Sequence, residues 1–354
     1  MIHLQYLSLS LLSSNIMRLR HHHFFRLVAA TAATIALFSG ATVTSAEAAV
    51  PTGLSRIGGP DRYALSAAVS AETFDSGVQY AFIASGENFP DALSASAASR
   101  GFGPVLLVTR DAVPSAIAAE LSRLTPGKII IVGGTDSISL GVEATLSGYA
   151  PALRLGGPDR YAVSSALSKA MFGGTFVPTI YVASGETFPD ALSGSAGTTG
   201  DGPVLLVTRD GIPSPVAAEL ERHESFEIVV VGGRNSVSDA TFAAISAYAS
   251  PTTRVVRVDG DDRYAVSAAV SHYGHSTGAP TVYVASGTVF PDALSGSAAA
   301  IMHGAPVLLV TKDGIPDAVK TELDRLNPLR IIVLGGPNTV SDALLPQLAR
   351  YIVV

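Results

Sequence analysis

Arg56-Ile-Gly-Gly-Pro-Asp-Arg-Tyr63 decides the reading of this chain, because it occurs more than once. It returns as Arg154-Leu-Gly-Gly-Pro-Asp-Arg-Tyr161 and, altered, as Arg257-Val-Asp-Gly-Asp-Asp-Arg-Tyr264. Three further landmarks follow each copy in the same order. Ala84-Ser-Gly-Glu-Asn-Phe-Pro-Asp-Ala-Leu-Ser94 recurs at Ala183 to Ser193 and at Ala285 to Ser295. Pro104-Val-Leu-Leu-Val-Thr109 recurs at Pro203 and Pro306, and Val132-Gly-Gly134 at Val231 and, as Leu-Gly-Gly, at Leu334. Four ordered landmarks, repeating roughly every 100 residues, mean one structural unit written three times.

Within a unit, short apolar runs alternate with alanine-rich stretches. Val78 to Ala84, Val105 to Val108 and Ile129 to Val132 are apolar at consecutive positions and rich in β-branched residues. Strands covered on both faces, as in a parallel sheet between helices, have this character. Phe89 to Ser99, Pro114 to Leu124 and Ser137 to Tyr149 carry Ala and Leu at helical spacing. Pro114 suits a first helical turn, where a missing N–H costs nothing. Asp91, Asp190 and Asp292 each follow a Pro and precede Ala-Leu-Ser, which fits a helix cap or first turn. The expected fold is α/β: three tandem Rossmann-like modules with mainly parallel sheets, over 54–150, 151–251 and 252–354. Linkers around Pro151 and Pro251 are short, so the modules should pack together.

The composition agrees. The chain has 354 residues, 47% of them hydrophobic and 15% charged, with no Cys. It is too apolar for a disordered chain. Without Cys it has no disulfide, thiolate metal site or Cys nucleophile. Lys and Arg together number 23 against 29 Asp and Glu, which argues against a nucleic-acid coat. Residues 1–48 read as an export signal, with Met17 as an alternative start. Arg18, Arg20, His21 to His23 and Arg26 form its basic start, Leu27 to Gly40 its apolar run, and small residues around Ala46 its cleavage site. The apolar run is short for a membrane span, so no anchor is expected after cleavage. Without that leader, 20 basic side chains face 28 acidic ones.

The candidate contacts are the repeated Arg and Gly residues. Arg62, Arg160 and Arg263 stand at expected helix starts beside glycine-rich turns, where backbone N–H groups and a guanidinium can meet phosphate or carboxylate. Arg56, Arg154 and Arg257, six residues earlier, could complete a cluster. The competing role is structural: each Arg pairs with Asp91, Asp190 or Asp292 and holds one module against the next. Gly133-Gly134, Gly232-Gly233 and Gly335-Gly336 end strands where α/β ligands lie, or are simple tight turns. They are not dinucleotide fingerprints, and no cofactor is expected. No His recurs in all three units to activate a serine. His272 and His275 read as a solvated pair, not a metal site. Glu87 and Glu186 are replaced by Thr288 in the third unit, against a carboxylate pair in every unit.

The four landmarks together resemble the cell-wall-binding type 2 repeat of Gram-positive surface proteins, over residues 54 to 354. The resemblance implies modules packed as a pseudo-three-fold trimer and non-covalent attachment to an anionic secondary polymer of the wall, teichoic-acid-like or another polysaccharide. It also implies an exported protein at the cell surface, with an unfused surface protein as a possible partner. Asp259 and Asp261 replace Gly58 and Pro60 in the third copy, so the three copies need not bind alike. The alternatives are an amidase-like wall hydrolase and a self-associating structural surface protein.

Overall fold

A computed structural model describes residues 52–88, 91, 94–174, 176–197 and 200–353. The leader expected over residues 1–48 lies outside the described residues. The first repeat runs β1 (Leu54–Ile57), α1 (Arg62–Thr73), β2 (Tyr80–Ser85), α2 (Ala95–Ser99), β3 (Val105–Val108), α3 (Ser115–Leu124), β4 (Lys128–Val132) and α4 (Leu140–Leu146). The second runs β5 (Ala152–Leu155), α5 (Arg160–Met171), β6 (Phe176–Ser184), α6 (Phe188–Gly197), β7 (Val204–Val207), α7 (Ser214–Arg222), β8 (Glu224–Val231) and α8 (Asp239–Ser246). The third runs β9 (Arg254–Val258), α9 (Arg263–Gly274), β10 (Thr281–Ser286), α10 (Phe290–His303), β11 (Val307–Val310), α11 (Asp317–Leu326) and β12 (Arg330–Leu334), then a 3-10 turn and α12 (Leu345–Leu348).

Three all-parallel, four-stranded sheets result, ordered β3-β2-β4-β5, β7-β6-β8-β9 and β11-β10-β12-β1. The opening strand of each repeat therefore belongs to its neighbour's sheet. β5 pairs with β4, β9 with β8, and β1 crosses almost the whole chain to pair with β12, Ile57 opposite Leu334. The sequence boundaries at 151 and 252 thus fall just before a strand donated backwards. The alternation of β2 explains the doubly apolar strands: Phe82 and Ala84 enter a cluster shared by all three repeats, while Ala81 and Ile83 enter the first repeat's own cluster under α3 and α4. The second and third repeats have their own outer clusters in the same way. α2, α6 and α10 touch one another, and α1 lies on α10, α5 on α2 and α9 on α6.

Repeated serines fasten helices to sheets. The hydroxyls of Ser66, Ser164 and Ser267 each accept the N–H of a strand leucine, Leu107, Leu206 and Leu309, at 3.1–3.2 Å. Ser70 and Ser271 each donate to a buried glutamate, Glu120 and Glu322, at 2.5 Å, and Arg123 and Arg325 close those carboxylates from outside.

Candidate functional site

In each sheet the chain leaves the central strand on one side and returns on the other, so the switch point lies between β2 and β4 and their equivalents. Open parallel sheets leave a crevice there, beyond the C-terminal ends of the strands. The Gly-Gly turns lie at this crevice. Gly133, Gly232 and Gly335 have φ of 109°, 106° and 95°, a conformation that favours glycine. A Cβ on them would stand 2.6, 2.4 and 2.3 Å from an Oδ2 of Asp91, Asp190 and Asp292. These turns are therefore glycine for two reasons, one conformational and one steric. Asp190 and Asp292 sit in the first turns of α6 and α10, and Asp91 in the turn before α2.

The strand exchange brings the next repeat's opening motif onto that turn. Arg56 donates to the carbonyls of Gly335 (2.6 Å) and Val340 (2.9 Å) and reaches Asp342. Arg154 donates to those of Gly133 and Gly134 at 3.0 and 3.1 Å and pairs with Glu143. Arg257 does the same to Gly232 and Val237 at 3.0 and 2.8 Å, and its guanidinium lies 4.8 Å from the Phe242 ring centre. Their side chains are only 13–17% exposed. These three arginines brace the glycine turns across each junction.

The second set is more exposed. Asp61, Asp159 and Asp262, residues the sequence reading passed over, are the N-caps of α1, α5 and α9 and accept backbone N–H groups at 2.8–2.9 Å. An Asp just before a helical pattern is the signal that could have found them. Arg62, Arg160 and Arg263 follow immediately and donate to the carbonyls of Gly86, Gly185 and Gly287. Arg62 also stands 5.8 Å from the Phe290 ring centre of the third repeat. Burial raises the Asp292 carboxyl above its ordinary pKa, opposed by the Thr339 hydroxyl and Arg62. Burial raises Asp190 likewise, opposed by Ser236 and Arg263. The electrostatic partner of each is thus an arginine from another repeat.

Between the third and first repeats these groups line a cleft of about 180 Å³. Asp61 and Arg62 form one wall, Val289, Pro291 and Asp292 another, and Gly335, Gly336 and Asn338 the rim. Arg56, Arg62, Asp292, Gly335 and Gly336 therefore assemble at one junction, from residues nearly 300 positions apart. Arg154 with Gly133 and Gly134, and Arg257 with Gly232, repeat the bracing contact at the other two junctions.

A Ser–His–Glu group does form in the second repeat, but not as a relay. Ser168 and Glu219 both approach the same His223 nitrogen, Nε2, at 3.1 and 3.6 Å, whereas a relay needs the acid on the other nitrogen. His275 is buried, not solvated as expected, and burial lowers its pKa, while the His272 side chain is 67% exposed. Among the described residues no helix is long and apolar enough to cross a membrane.

Comparison with known proteins agrees with this architecture. The chain is 28% identical over 283 residues to the amidase enhancer of Bacillus subtilis, covering 77% of this chain and 38% of that protein. It is 26% identical over 313 residues to the N-acetylmuramoyl-L-alanine amidase LytC of the same organism, covering 86% and 60%. Two solved structures, Cwp6 and Cwp8 from Clostridium difficile, superpose with TM-scores of 0.80 and 0.74 at 24% and 22% identity. They match 86% and 85% of this chain and 48% and 52% of their own lengths, and establish the likeness of fold. Residues 56–143, 154–242 and 257–345 each match the cell wall binding domain 2 family, and the chain belongs to that family as three tandem cell-wall-binding repeats.

Proposed function

We propose that the chain attaches non-covalently to an anionic secondary polymer of a Gram-positive wall, teichoic-acid-like or another wall polysaccharide, through clefts at the repeat junctions. The observation that carries this reading is the convergence of the repeated Arg, Gly and Asp residues from two repeats at each sheet's switch point. Arg62, Arg160 and Arg263 face the polymer, and Arg56, Arg154 and Arg257 hold the turns that shape the clefts. The repeats, 54–150, 151–251 and 252–354, pack as a pseudo-three-fold trimer, so one chain presents three sites and gains avidity from weak contacts. Asp259 and Asp261 flank the junction of the second and third repeats and make it the least favourable for an anion. Export by the leader places the protein at the cell surface, where an unfused surface protein is a possible partner.

A pull-down on purified wall, intact or stripped of secondary polymer, tests this. Retention is expected on intact wall only, and Arg62→Ala with Arg160→Ala should reduce it at least about tenfold, through the loss of two charge-assisted contacts. Equal retention on stripped wall overturns the reading. Wall hydrolysis is the second reading, favoured by the amidase names of the two relatives and checked by zymography on whole wall.

A further inference from the structure

One substitution among the repeats leaves a donor unused. In the first two repeats a glutamate just past β2 or β6 closes the loop that follows the neighbouring strand. Glu87 Oε2 accepts the Arg110 N–H at 2.9 Å, and Glu186 Oε2 accepts that of Arg209 at 3.2 Å. Thr288 and Lys312 hold these two places in the third repeat. The backbone around them is the same. Gly86, Gly185 and Gly287 donate to the carbonyls of Val108, Val207 and Val310, each at 2.9 Å. The carbonyls of Arg110, Arg209 and Lys312 accept the N–H groups of Ser139, Ser238 and Ser341 at 2.8–2.9 Å. The Lys312 carbonyl is thus satisfied as in the other repeats, whereas its N–H has no partner among the described residues. The shorter Thr288 side chain stays with Ser286, hydroxyl to hydroxyl at 3.0 Å.

The charges differ in the same way. Arg110 and Arg209 are paired with the adjacent Asp111 and Asp210 at 2.9 Å. Lys312 makes no ion pair among the described residues, even with the adjacent Asp313. Lys312 and Thr288 are both exposed. Arg263 reaches the same loop and donates to the Gly287 carbonyl at 2.7 Å. An ammonium, a backbone N–H and a guanidinium therefore border the place that a glutamate carboxylate takes in the other repeats. Those carboxylates show which chemistry suits it, an oxyanion that accepts the N–H. Val289, the residue after Thr288, lines the closing cleft, so this place adjoins it.

We propose that the third repeat takes an oxyanion of the wall polymer, phosphate or carboxylate, on the Lys312 N–H and ammonium, where the other repeats place their own glutamate. The proposal rests on the chain binding an anionic polymer, and it gives the third repeat a contact of its own. Glu87 and Glu186 close the equivalent N–H groups, so the first two repeats do not offer them.

The test uses the full chain, purified anionic wall polymer, and inorganic phosphate and acetate as separate small probes. In the wild-type protein the Lys312 amide resonance should shift with phosphate, acetate or both, and the responding probe names the oxyanion. The Arg110 and Arg209 amides, already bonded to glutamate, should stay in place. Thr288→Gln offers Lys312 an internal acceptor without adding charge, and Lys312→Gln removes the ammonium. Each should bind polymer about tenfold more weakly, the loss of one charge-assisted contact, with the thermal midpoint kept. Lys312→Gln alters only an exposed side chain, so it decides the matter should Thr288→Gln fail to fold. A Lys312 amide that moves no more than those of Arg110 and Arg209, or wild-type affinity in a folded variant, overturns the site while the polymer reading stands. Absence of wild-type binding to the polymer instead overturns the polymer reading itself.

Discussion

Asp190 and Asp292 show how one residue serves packing at a cost in electrostatics. Each fills the space that a side chain on Gly232 or Gly335 would occupy, and each is buried deeply enough that its carboxyl is raised above the ordinary range. The direction fixes the pH dependence. With the folded pKa above the unfolded one, the native state holds more protons between the two values, and stability falls as pH rises through that window. Asp190→Asn removes this penalty. Its stability relative to wild type should be greater at neutral pH and lose that increment as pH falls below the unfolded carboxylate range. Urea titrations at several pH values measure the difference. An increment that grew on acidification would show that the Arg263 interaction, not burial, dominates. The repeated motifs made these aspartates visible in sequence, but not that their carboxylates lie against the glycine turns.

At the scale of elements, each repeat joins its first helix to its third through a buried carboxylate. Glu322 is 4% exposed on α11 and is held by Ser271 of α9 at 2.5 Å and Arg325 at 2.6 Å. Ser271→Ala leaves the Arg325 pair in place but removes the donor on the buried side, which should cost about 1–3 kcal/mol. The same substitution at Ser122, an exposed helix serine bonded only to its own helix, should change stability by less than about 0.5 kcal/mol. Chemical denaturation of the two variants makes the comparison. Helices and strands themselves were readable from periodicity: β3 is the run Val105–Val108 as expected, and α3 begins after Pro114. The stretch Ser137–Tyr149 reads as helix by composition, yet α4 covers only Leu140–Leu146, because Ser139 supplies the cap at its start. β1, β5 and β9 escaped the reading. At four or five residues, interrupted by Arg and Ser, they lack the continuous apolar run of a central strand, as suits strands at a sheet edge.

For the whole molecule, those three short strands decide how the repeats join. β1 covers β12, and Arg56 binds the turn that follows β12. Removing the chain through Ile57 should uncover β12 as an unpaired edge and undo the closing cleft. The shortened protein is expected to melt at lower temperature and to self-associate. Calorimetry and light scattering check both, and a monomer with the wild-type midpoint would show that closure contributes nothing. What the sequence by itself determined is the repeat, the α/β class and the identity of the recurring Arg, Gly and Asp residues, because periodicity and turn chemistry are local properties. Which repeat each residue serves was decided only by the tertiary structure. Parallel pairing allows a strand to join any sheet with a free edge, so nothing local assigns β1 to β12. Only the closed packing makes Arg56 and Arg62 partners of residues at the far end of the chain.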